Sequence, residues 1–240
     1  MAFHADGPVI PNFGSTSSCV KNDGTFCWDW FSSRWGSTFE PALVQHIVLT
    51  LIAVGIGFAI SFVLAVLAHR LRWMVAPVTL LTSLLYTIPS LAAFEILVPI
   101  TGLGYLTIEI PLVTYTLLIL FTNTLAGLSG ISPDVLDAAH GMGLTPRQAL
   151  TRVELPLALP TIIAGLRVAV VTIVSLATIA AYVTPYGLGK PIFDALSNGG
   201  FNTAFIGAGA LCILLALVAD GLFVGLQRLL TPWAAARRPT

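Results

Sequence analysis

The sequence predicts an all-α membrane protein with five transmembrane helices. Hydrophobic residues make up 56% of its 240 residues and charged residues only 9%, a composition that excludes an ordinary soluble domain. Apolar stretches of about 20 residues, the length that crosses a ~30 Å hydrocarbon layer as a helix, recur along the chain. Most of the charged residues lie between these stretches, as the connections of a multi-pass protein require.

Five segments are predicted to cross the bilayer. They cover residues 43–68, 76–100, 110–128, 157–183 and 204–228. The second, fourth and fifth each carry one charge inside their length, at Glu95, Arg167 and Asp220 respectively, and Arg228 ends the fifth. Pro89 predicts a kink in the second helix, because proline removes a backbone hydrogen bond and its ring clashes with the preceding turn. Irregular backbone is tolerated in a membrane where it lines a cavity, so the kink indicates a polar lumen.

Basic residues predict the orientation, since short cytoplasmic loops are enriched in Lys and Arg. One side of the membrane receives Arg70, Arg72, Arg147, Arg152, Arg228, Arg237 and Arg238. The other side receives three basic residues and six acidic ones, among them Glu109 in the connection before the third helix. We therefore expect an external amino-terminal tail at 1–40, a transmembrane domain at 41–230 and a cytoplasmic tail at 231–240.

A polar, helix-forming segment at 132–156 separates the third and fourth apolar stretches. Ser132 is a suitable N-cap, and Pro133 suits the first helical position, where a missing N–H costs nothing. Gly141 and Gly143 can end this helix, because glycine adopts left-handed backbone angles without steric strain. The segment therefore starts with one short helix.

A second short helix is predicted directly afterwards. Thr145, Pro146 and Gln148 have the capping-box pattern, in which the first and last side chains satisfy each other's backbone N–H groups. Pro156 is expected to stop this helix before the next membrane span, since proline cannot continue the helical hydrogen bonds.

The spacing within 132–156 resembles the EAA signature of type I ABC importer permeases. An acidic-Ala-Ala triplet begins at Asp137, Gly143 follows it, and Leu155-Pro156 closes the segment. The resemblance implies the MetI-like permease fold, in which this cytoplasmic loop docks onto a separate ATPase. It assigns the coupling role to Asp137, Ala138, Ala139, Gly143, Arg147, Arg152, Glu154, Leu155 and Pro156.

Within that assignment, small residues permit close approach of the ATPase, and three charged residues pair at the rim of the contact: Arg147, Arg152 and Glu154. Asp137 stands where the family usually has glutamate. The shorter carboxylate still complements the positive end of the helix dipole, so the assignment is unaffected.

Three further segments resemble osmoprotectant permeases, the glycine betaine, carnitine, choline and proline group. They are Tyr86-Thr87-Ile88-Pro89-Ser90-Leu91-Ala92, Asn123-Thr124-Leu125-Ala126-Gly127-Leu128 and Gly187-Leu188-Gly189-Lys190-Pro191-Ile192-Phe193. The resemblance implies a permease in the cell membrane of a prokaryote that works by alternating access and holds no cofactor of its own. It implies as partners two ATPase subunits that bind ATP and Mg²⁺, a second permease copy or a paralogue, and an extracytoplasmic binding protein.

The chain departs from that group at two places near the predicted outer face. Residues 183–186, Val-Thr-Pro-Tyr, stand where many relatives carry a glycine-rich turn, and Glu95 occupies a position that is usually apolar. Glu95 either lines an outer vestibule that attracts a quaternary ammonium group, faces lipid headgroups or is satisfied by a neighbouring helix. The departures imply a different substrate preference or receptor contact.

Arg167 and Asp220 are predicted at similar depths in the fourth and fifth helices. Arg167 lies 11 residues after Pro156 and Asp220 lies eight before Arg228, or about 16 Å and about 12 Å from the same face. Charges inside a bilayer are expensive and seek partners. The two residues form an ion pair between the helices, or each extends separately to the interface.

Polar residues within the helices, together with the proline of the expected kink, are candidates for a translocation path. They are Thr87, Pro89, Ser90, Glu95, Asn123, Thr172, Ser175 and Thr178. Serine and threonine also join helices to one another in membranes, so each of these residues has packing as an alternative role.

Cys19 and Cys27 lie in the predicted external tail, where an oxidising compartment allows a disulfide. Two free thiols are the alternative, and Cys212 is expected to pack in the middle of a helix. The three cysteines lack the spacing of a metal site.

Several function classes are excluded or disfavoured. The 11 basic and 11 acidic residues cancel, so there is no basic footprint for nucleic acid. The four histidines are scattered without a nucleophile or base at useful spacing, which argues against an enzyme. A secondary transporter or channel would need more intramembrane carboxylates or an inverted repeat. A type I importer for another small solute, such as an amino acid, is the remaining alternative.

Overall fold

The computed structural model describes residues 18–22, 24–197 and 201–235, and within these ranges it is helical without β-strands. The helices are α1 (Ser18–Lys21), α2 (Trp28–Ser33), α3 (Glu40–Arg70), α4 (Val75–Thr87), α5 (Ser90–Thr101), α6 (Tyr105–Ser129), α7 (Pro133–Gly141), α8 (Pro146–Ala149), α9 (Leu155–Ala180), α10 (Gly189–Ser197), α11 (Asn202–Leu230) and α12 (Pro232–Ala235). The remainder of the expected tails, including Arg237 and Arg238, lies outside the described residues.

Four helical stretches in the described ranges are long and apolar enough to cross a membrane. They are Trp35–Arg70, Tyr105–Ser129, Pro146–Ala180 and Asn202–Leu230. Helices α4 and α5 meet at an angle of 90° and supply a fifth crossing if the bent pair forms one broken span. The all-α prediction is confirmed, but the second segment is two helices instead of the single kinked helix expected over 76–100.

The break between α4 and α5 follows from the sequence Ile88-Pro89. Ile88 is extended, with φ −64° and ψ 127°, because the proline ring disfavours helical angles in the residue before it. Pro89 is extended as well, at φ −56° and ψ 131°. The carbonyl freed at Ile88 accepts a hydrogen bond from the Tyr115 hydroxyl of α6. A side chain of another helix therefore supplies the hydrogen bond that this carbonyl lacks at the break.

Helix α6 lies at the centre of the bundle. It packs against α3 and α9 and also contacts α4 and α5, while α11 packs against α9. The main core contains Leu49, Phe94, Ile108, Leu112 and Ile173, all of them almost fully buried.

A glycine permits the close approach of α3 to α6. A Cβ atom built at Gly57 would lie 1.7 Å from Oγ1 of Thr116, far inside van der Waals contact. No larger residue fits there without moving one helix, so Gly57 sets the distance between the two.

The segment before α3 folds onto the start of α11. A disulfide joins Cys19 to Cys27, and the backbone N–H of Cys27 donates to the Thr203 hydroxyl at 2.8 Å. The Trp30 ring packs edge-on against Phe201 with 4.8 Å between centroids. The two tryptophans of α2 differ in their surroundings, since Trp30 is buried between protein elements while Trp28 remains exposed.

Candidate functional site

Helix α7 is the first helix of the predicted coupling segment at 132–156. It begins at Pro133 as predicted, but Ser132 does not cap it with its side chain. The Ser132 hydroxyl is instead 3.4 Å from Oδ2 of Asp134. At the other end, the N–H of Gly143 donates to the His140 carbonyl at 2.9 Å, and the N–H of Leu144 donates to the Ala139 carbonyl at 3.2 Å. These two bonds form a Schellman motif.

The Schellman turn depends on one glycine of the two that were expected to end α7. Gly143 has φ +78°, in the left-handed region, whereas Gly141 is still helical. Only Gly143 therefore needs the conformational freedom of glycine.

The second coupling helix, α8, has the predicted capping box. The Thr145 N–H donates to Oε1 of Gln148 at 2.9 Å, and the Gln148 N–H donates to the Thr145 hydroxyl at 3.4 Å. The prediction that Pro156 stops this helix is wrong, since a π-helical turn over Leu150–Glu154 joins α8 to α9 in one continuous helical run. Pro156 lies in the first turn of α9, directly after the π-helical turn. The regular helical hydrogen bonds are already interrupted there, so the helix tolerates a residue that has no N–H to donate.

The predicted coupling residues divide into an exposed and a buried set. Exposed are Asp137, Ala138, Gly143, Arg147 and Arg152. Ala139 is 1% exposed, and Leu155 and Pro156 are half-buried. Sequence reasoning missed Met142, which is 74% exposed at the tip between the two coupling helices. Its position between two glycines was the available signal, since an apolar side chain in a tight polar turn has no core to enter.

Glu154 does not lie at the exposed rim where it was expected. It is buried, and its Oε2 lies 2.8 Å from Nε2 of His69 near the end of α3. The contact ties the π-helical turn to α3. Glu154 is therefore placed to hold the coupling segment against the bundle instead of pairing with a partner.

Arg167 and Asp220 lie in direct contact. Nε of Arg167 donates to Oδ1 of Asp220 at 2.7 Å, and an Nη atom donates to Oδ2 at 3.0 Å. This two-point geometry matches the planar guanidinium to the carboxylate. The contact joins α9 to α11, which is the arrangement expected if the two charges pair within the membrane.

Reversing either charge of this pair should lower the amount of folded protein in membranes. Arg167→Asp or Asp220→Arg leaves two like charges facing each other, and we expect roughly a threefold loss or more. The double exchange should restore the yield, measured by quantitative size-exclusion chromatography. Lys190→Asp disrupts the exposed ion pair of α10 and serves as the control with little expected effect. Failure of the double exchange to improve on the single changes would contradict a pairing role.

The candidate path residues do not converge on one site. Thr87 and Pro89 are exposed at the α4–α5 break, and Glu95 is exposed on α5. Four of the candidates have a hydroxyl or amide group that bonds within its own helix: Thr87 to Leu84, Asn123 to Ile119, Thr172 to Val168 and Thr178 to Val174. Ser90 is half-buried and Ser175 is exposed.

Two path candidates lie at helix contacts. A Cβ at Gly165 would lie 2.6 Å from Cβ of Asn123, so Asn123 marks the close approach of α6 and α9. The Thr178 hydroxyl is 3.4 Å from Sγ of Cys212 on α11. Asn123 and Thr178 therefore lie where side chains pack one helix against another. Among the candidates, the exposed residues at the α4–α5 break remain the ones that fit a translocation path.

At the end of the bundle opposite the coupling segment, α3 holds the loop that follows α9. Nδ1 of His46 accepts the Leu188 N–H at 3.2 Å, and its Nε2 lies 3.0 Å from the Val174 carbonyl. Oε1 of Gln45 accepts the Gly187 N–H at 3.2 Å. Nothing in the local sequence signalled this connection, because the partners are 142 residues apart.

Sequence reasoning also misplaced Glu109. It was assigned to a connection before the third span, but α6 starts at Tyr105 and includes it. The side chain is buried, and neither carboxylate oxygen has a hydrogen-bond partner among the described residues. Across all the residues that the structure describes, no three His, Cys, Asp or Glu side chains are grouped to hold a metal ion.

The chain matches known transport proteins over most of its length. The sequence profile of the family described as "Binding-protein-dependent transport system inner membrane component" matches residues 55–234. The osmoprotectant import permease protein OsmW of Salmonella typhimurium is 37% identical over 193 residues, which are 78% of this chain and 89% of that protein. The choline transport system permease protein OpuBB of Bacillus subtilis is 32% identical over 189 residues, 78% of this chain and 86% of the relative.

Solved structures share the fold. The MetNI methionine ABC transporter in an inward-facing conformation aligns with a TM-score of 0.71 at 20% identity, over 79% of this chain and 94% of the other. A bacterial alginate ABC transporter with its periplasmic protein aligns with a TM-score of 0.67 at 18% identity, over 85% and 83% of the two chains. The predicted MetI-like permease fold is thereby confirmed, and the chain belongs to the family of binding-protein-dependent transport system inner membrane components.

Proposed function

We propose that this chain is the membrane subunit of an ATP-driven importer of small osmoprotectants such as choline, carnitine and glycine betaine. The observation that carries the proposal is the set of relatives named for these solutes, which are 30–37% identical over more than three quarters of the chain. A separate ATPase binds ATP and Mg²⁺, and a binding protein delivers the solute. The type I importer for another solute is less favoured, because the methionine and alginate transporters resemble the chain in fold alone.

The coupling role of 132–156 is supported by how this segment connects to the bundle. Its tip presents Met142 and the exposed arginines of α8 and the π-helical turn to a partner. The run from α8 to α9 is one continuous helix, so a force on the tip moves α9 directly. The His69–Glu154 contact extends that movement to α3, and the Arg167–Asp220 pair extends it to α11.

The coupling segment also has room to move. A cavity of about 710 Å³ separates the start of α7 at Pro133 and Leu136 from His69 and Arg72 at the ends of α3 and its following turn. We infer that α7 shifts into or out of this space when the ATPase subunits close, and that α9 carries the shift across the membrane. Two discrete packings of one element against another are the usual means of such switching.

We place the coupling segment in the cytoplasm and the amino-terminal segment outside. The arginine distribution supports this orientation, and so does the Cys19–Cys27 disulfide, since disulfides persist in oxidising compartments. A second permease copy or a paralogue completes the pathway. An apolar cavity of about 500 Å³ between α3, α9 and α11 and the exposed leucines of α11 give such a partner, or lipid, a surface to cover.

Uptake measurements test the proposed function. A strain lacking its own osmoprotectant importers would express this permease together with the ATPase and the binding protein of the same transport system. Labelled choline, carnitine, glycine betaine and proline would then be supplied separately, and we expect ATP-dependent accumulation of at least one of the four. A matched strain with an ATPase that cannot hydrolyse ATP is the control. Accumulation that is equal in both strains, or accumulation of none of the four solutes, would contradict the proposal.

A further inference from the structure

Glu109 is a buried carboxylate without a protein partner. It lies in the second turn of α6, is 8% exposed, and neither of its oxygens has a hydrogen-bond partner in the described ranges. Burying an unpaired carboxylate is costly, so such groups are normally paired with a cation or neutralised by a proton. The position therefore calls for a cation or a proton, and the residues that the structure describes place no hydrogen-bonding cation there.

A tyrosine lies beside this carboxylate, and a second tyrosine packs against the first. Tyr105 precedes Glu109 by one helical turn, so the two side chains share a face of α6 and are close enough to interact electrostatically. The Tyr105 ring lies 4.3 Å from that of Tyr186, centroid to centroid, with the planes inclined at 43°. Tyr105 is 37% exposed, so one side of the tyrosine pair can be reached from outside the bundle.

The loop that supplies Tyr186 is held firmly in place. Val183 and Tyr186 pack against the core cluster that contains Ile108 and Leu112. Thr184 in the same loop is fully buried, and its hydroxyl, like the Glu109 carboxylate, has no partner among the residues described. The loop thus brings a second unsatisfied polar group to the same end of the bundle.

We propose that Glu109, Tyr105 and Tyr186 form a binding site for an organic ammonium ion at the end of the bundle opposite the coupling segment. A trimethylammonium group has no N–H to donate and is bound well by aromatic faces, and the carboxylate supplies the opposite charge. A single carboxylate is too few oxygen ligands for Ca²⁺ or Mg²⁺. The site rests on the proposed function, and there it would receive solute released from the binding protein.

Glu109→Gln tests the site, because it removes the charge and keeps the shape of the side chain. Choline carries a net positive charge, whereas glycine betaine carries a carboxylate as well and is neutral overall. We therefore expect choline uptake below saturation to fall about tenfold or more, with glycine betaine uptake changed less than about twofold. Tyr105→Leu should also lower choline uptake, because it removes one aromatic face.

The control is Glu40→Gln, the same change at an exposed carboxylate in the first turn of α3, and it should leave uptake of both solutes unchanged. Amounts of each variant in the membrane are matched by immunoblot. Equal uptake by Glu109→Gln and the unmodified protein would overturn the site and identify a neutral, protonated Glu109. An equal loss for both solutes would also overturn it, in favour of a structural role or a basic partner residue. If the unmodified protein imports carnitine or proline but neither choline nor glycine betaine, the site fails and the proposed function stands. If it imports none of the four solutes, both fail.

Discussion

Replacing Gly143 with proline is expected to abolish coupling to the ATPase. Gly143 has φ +78°, whereas a proline ring fixes φ near −65°. The change also removes the N–H that donates to the His140 carbonyl at 2.9 Å. The turn between α7 and α8 cannot form without both features, so Met142 and the exposed arginines would lose their fixed arrangement. We expect ATPase co-purification and ATP-driven uptake to fall at least about tenfold.

Gly141→Ala is the matched control. This glycine lies two residues away in the same turn, but it is helical and a Cβ atom there meets nothing within 4 Å. Alanine should stabilise α7 slightly, by about 0.5–1 kcal/mol, and leave ATPase binding intact. Membrane insertion of both variants is checked by their yield after detergent extraction. Normal ATPase association of Gly143→Pro would show that this turn is not the docking element.

The features that the sequence predicted well are set by local chemistry. The apolar stretches are long enough to cross a bilayer whatever they pack against, and the capping box of Thr145 and Gln148 involves residues three apart. Gly143 likewise ends α7 through bonds within one turn. Such features depend on neighbours in the chain, so a single sequence contains the information needed to predict them.

The features that the sequence did not predict depend on contacts between distant segments. The bond between His69 and Glu154 joins residues 85 positions apart, and it buries a carboxylate that local reasoning placed at an exposed rim. The chain makes a full bend at Ile88 instead of a kink, and the Tyr115 hydroxyl of another helix satisfies the carbonyl freed there. Pro156 would stop an isolated helix, yet the preceding π-helical turn absorbs its missing hydrogen bond.

The charges inside the helices fall between these cases. Equal depth indicated that Arg167 and Asp220 can meet, but depth alone could not choose between a pair and separate extension to the interface. That choice depends on the rotation of α9 and α11 about their axes, which is set by packing. Glu109 shows the same limit, because its burial depends on where α6 begins and on how that helix packs in the bundle.

Replacing His46 with alanine is expected to destabilise the end of the bundle opposite the coupling segment. The His46 side chain is fully buried, and its Nδ1 is the acceptor for the Leu188 N–H at 3.2 Å. Alanine leaves this buried N–H without a partner, at about 1–3 kcal/mol. It also leaves a cavity where the imidazole packed, so we expect a total loss of roughly 3 kcal/mol in the free energy of unfolding.

The expected loss is measurable as a fall in the midpoint of thermal unfolding of the purified protein in detergent. Val48→Ala, at an exposed position of the same helix, is the control and should stay within about 0.5 kcal/mol. His46→Gln retains an acceptor oxygen and should recover part of the loss. A His46→Ala protein as stable as the Val48→Ala protein would mean that the loop after α9 does not need this tether. The position of Tyr186 beside Tyr105 would then have to depend on packing against the core cluster alone.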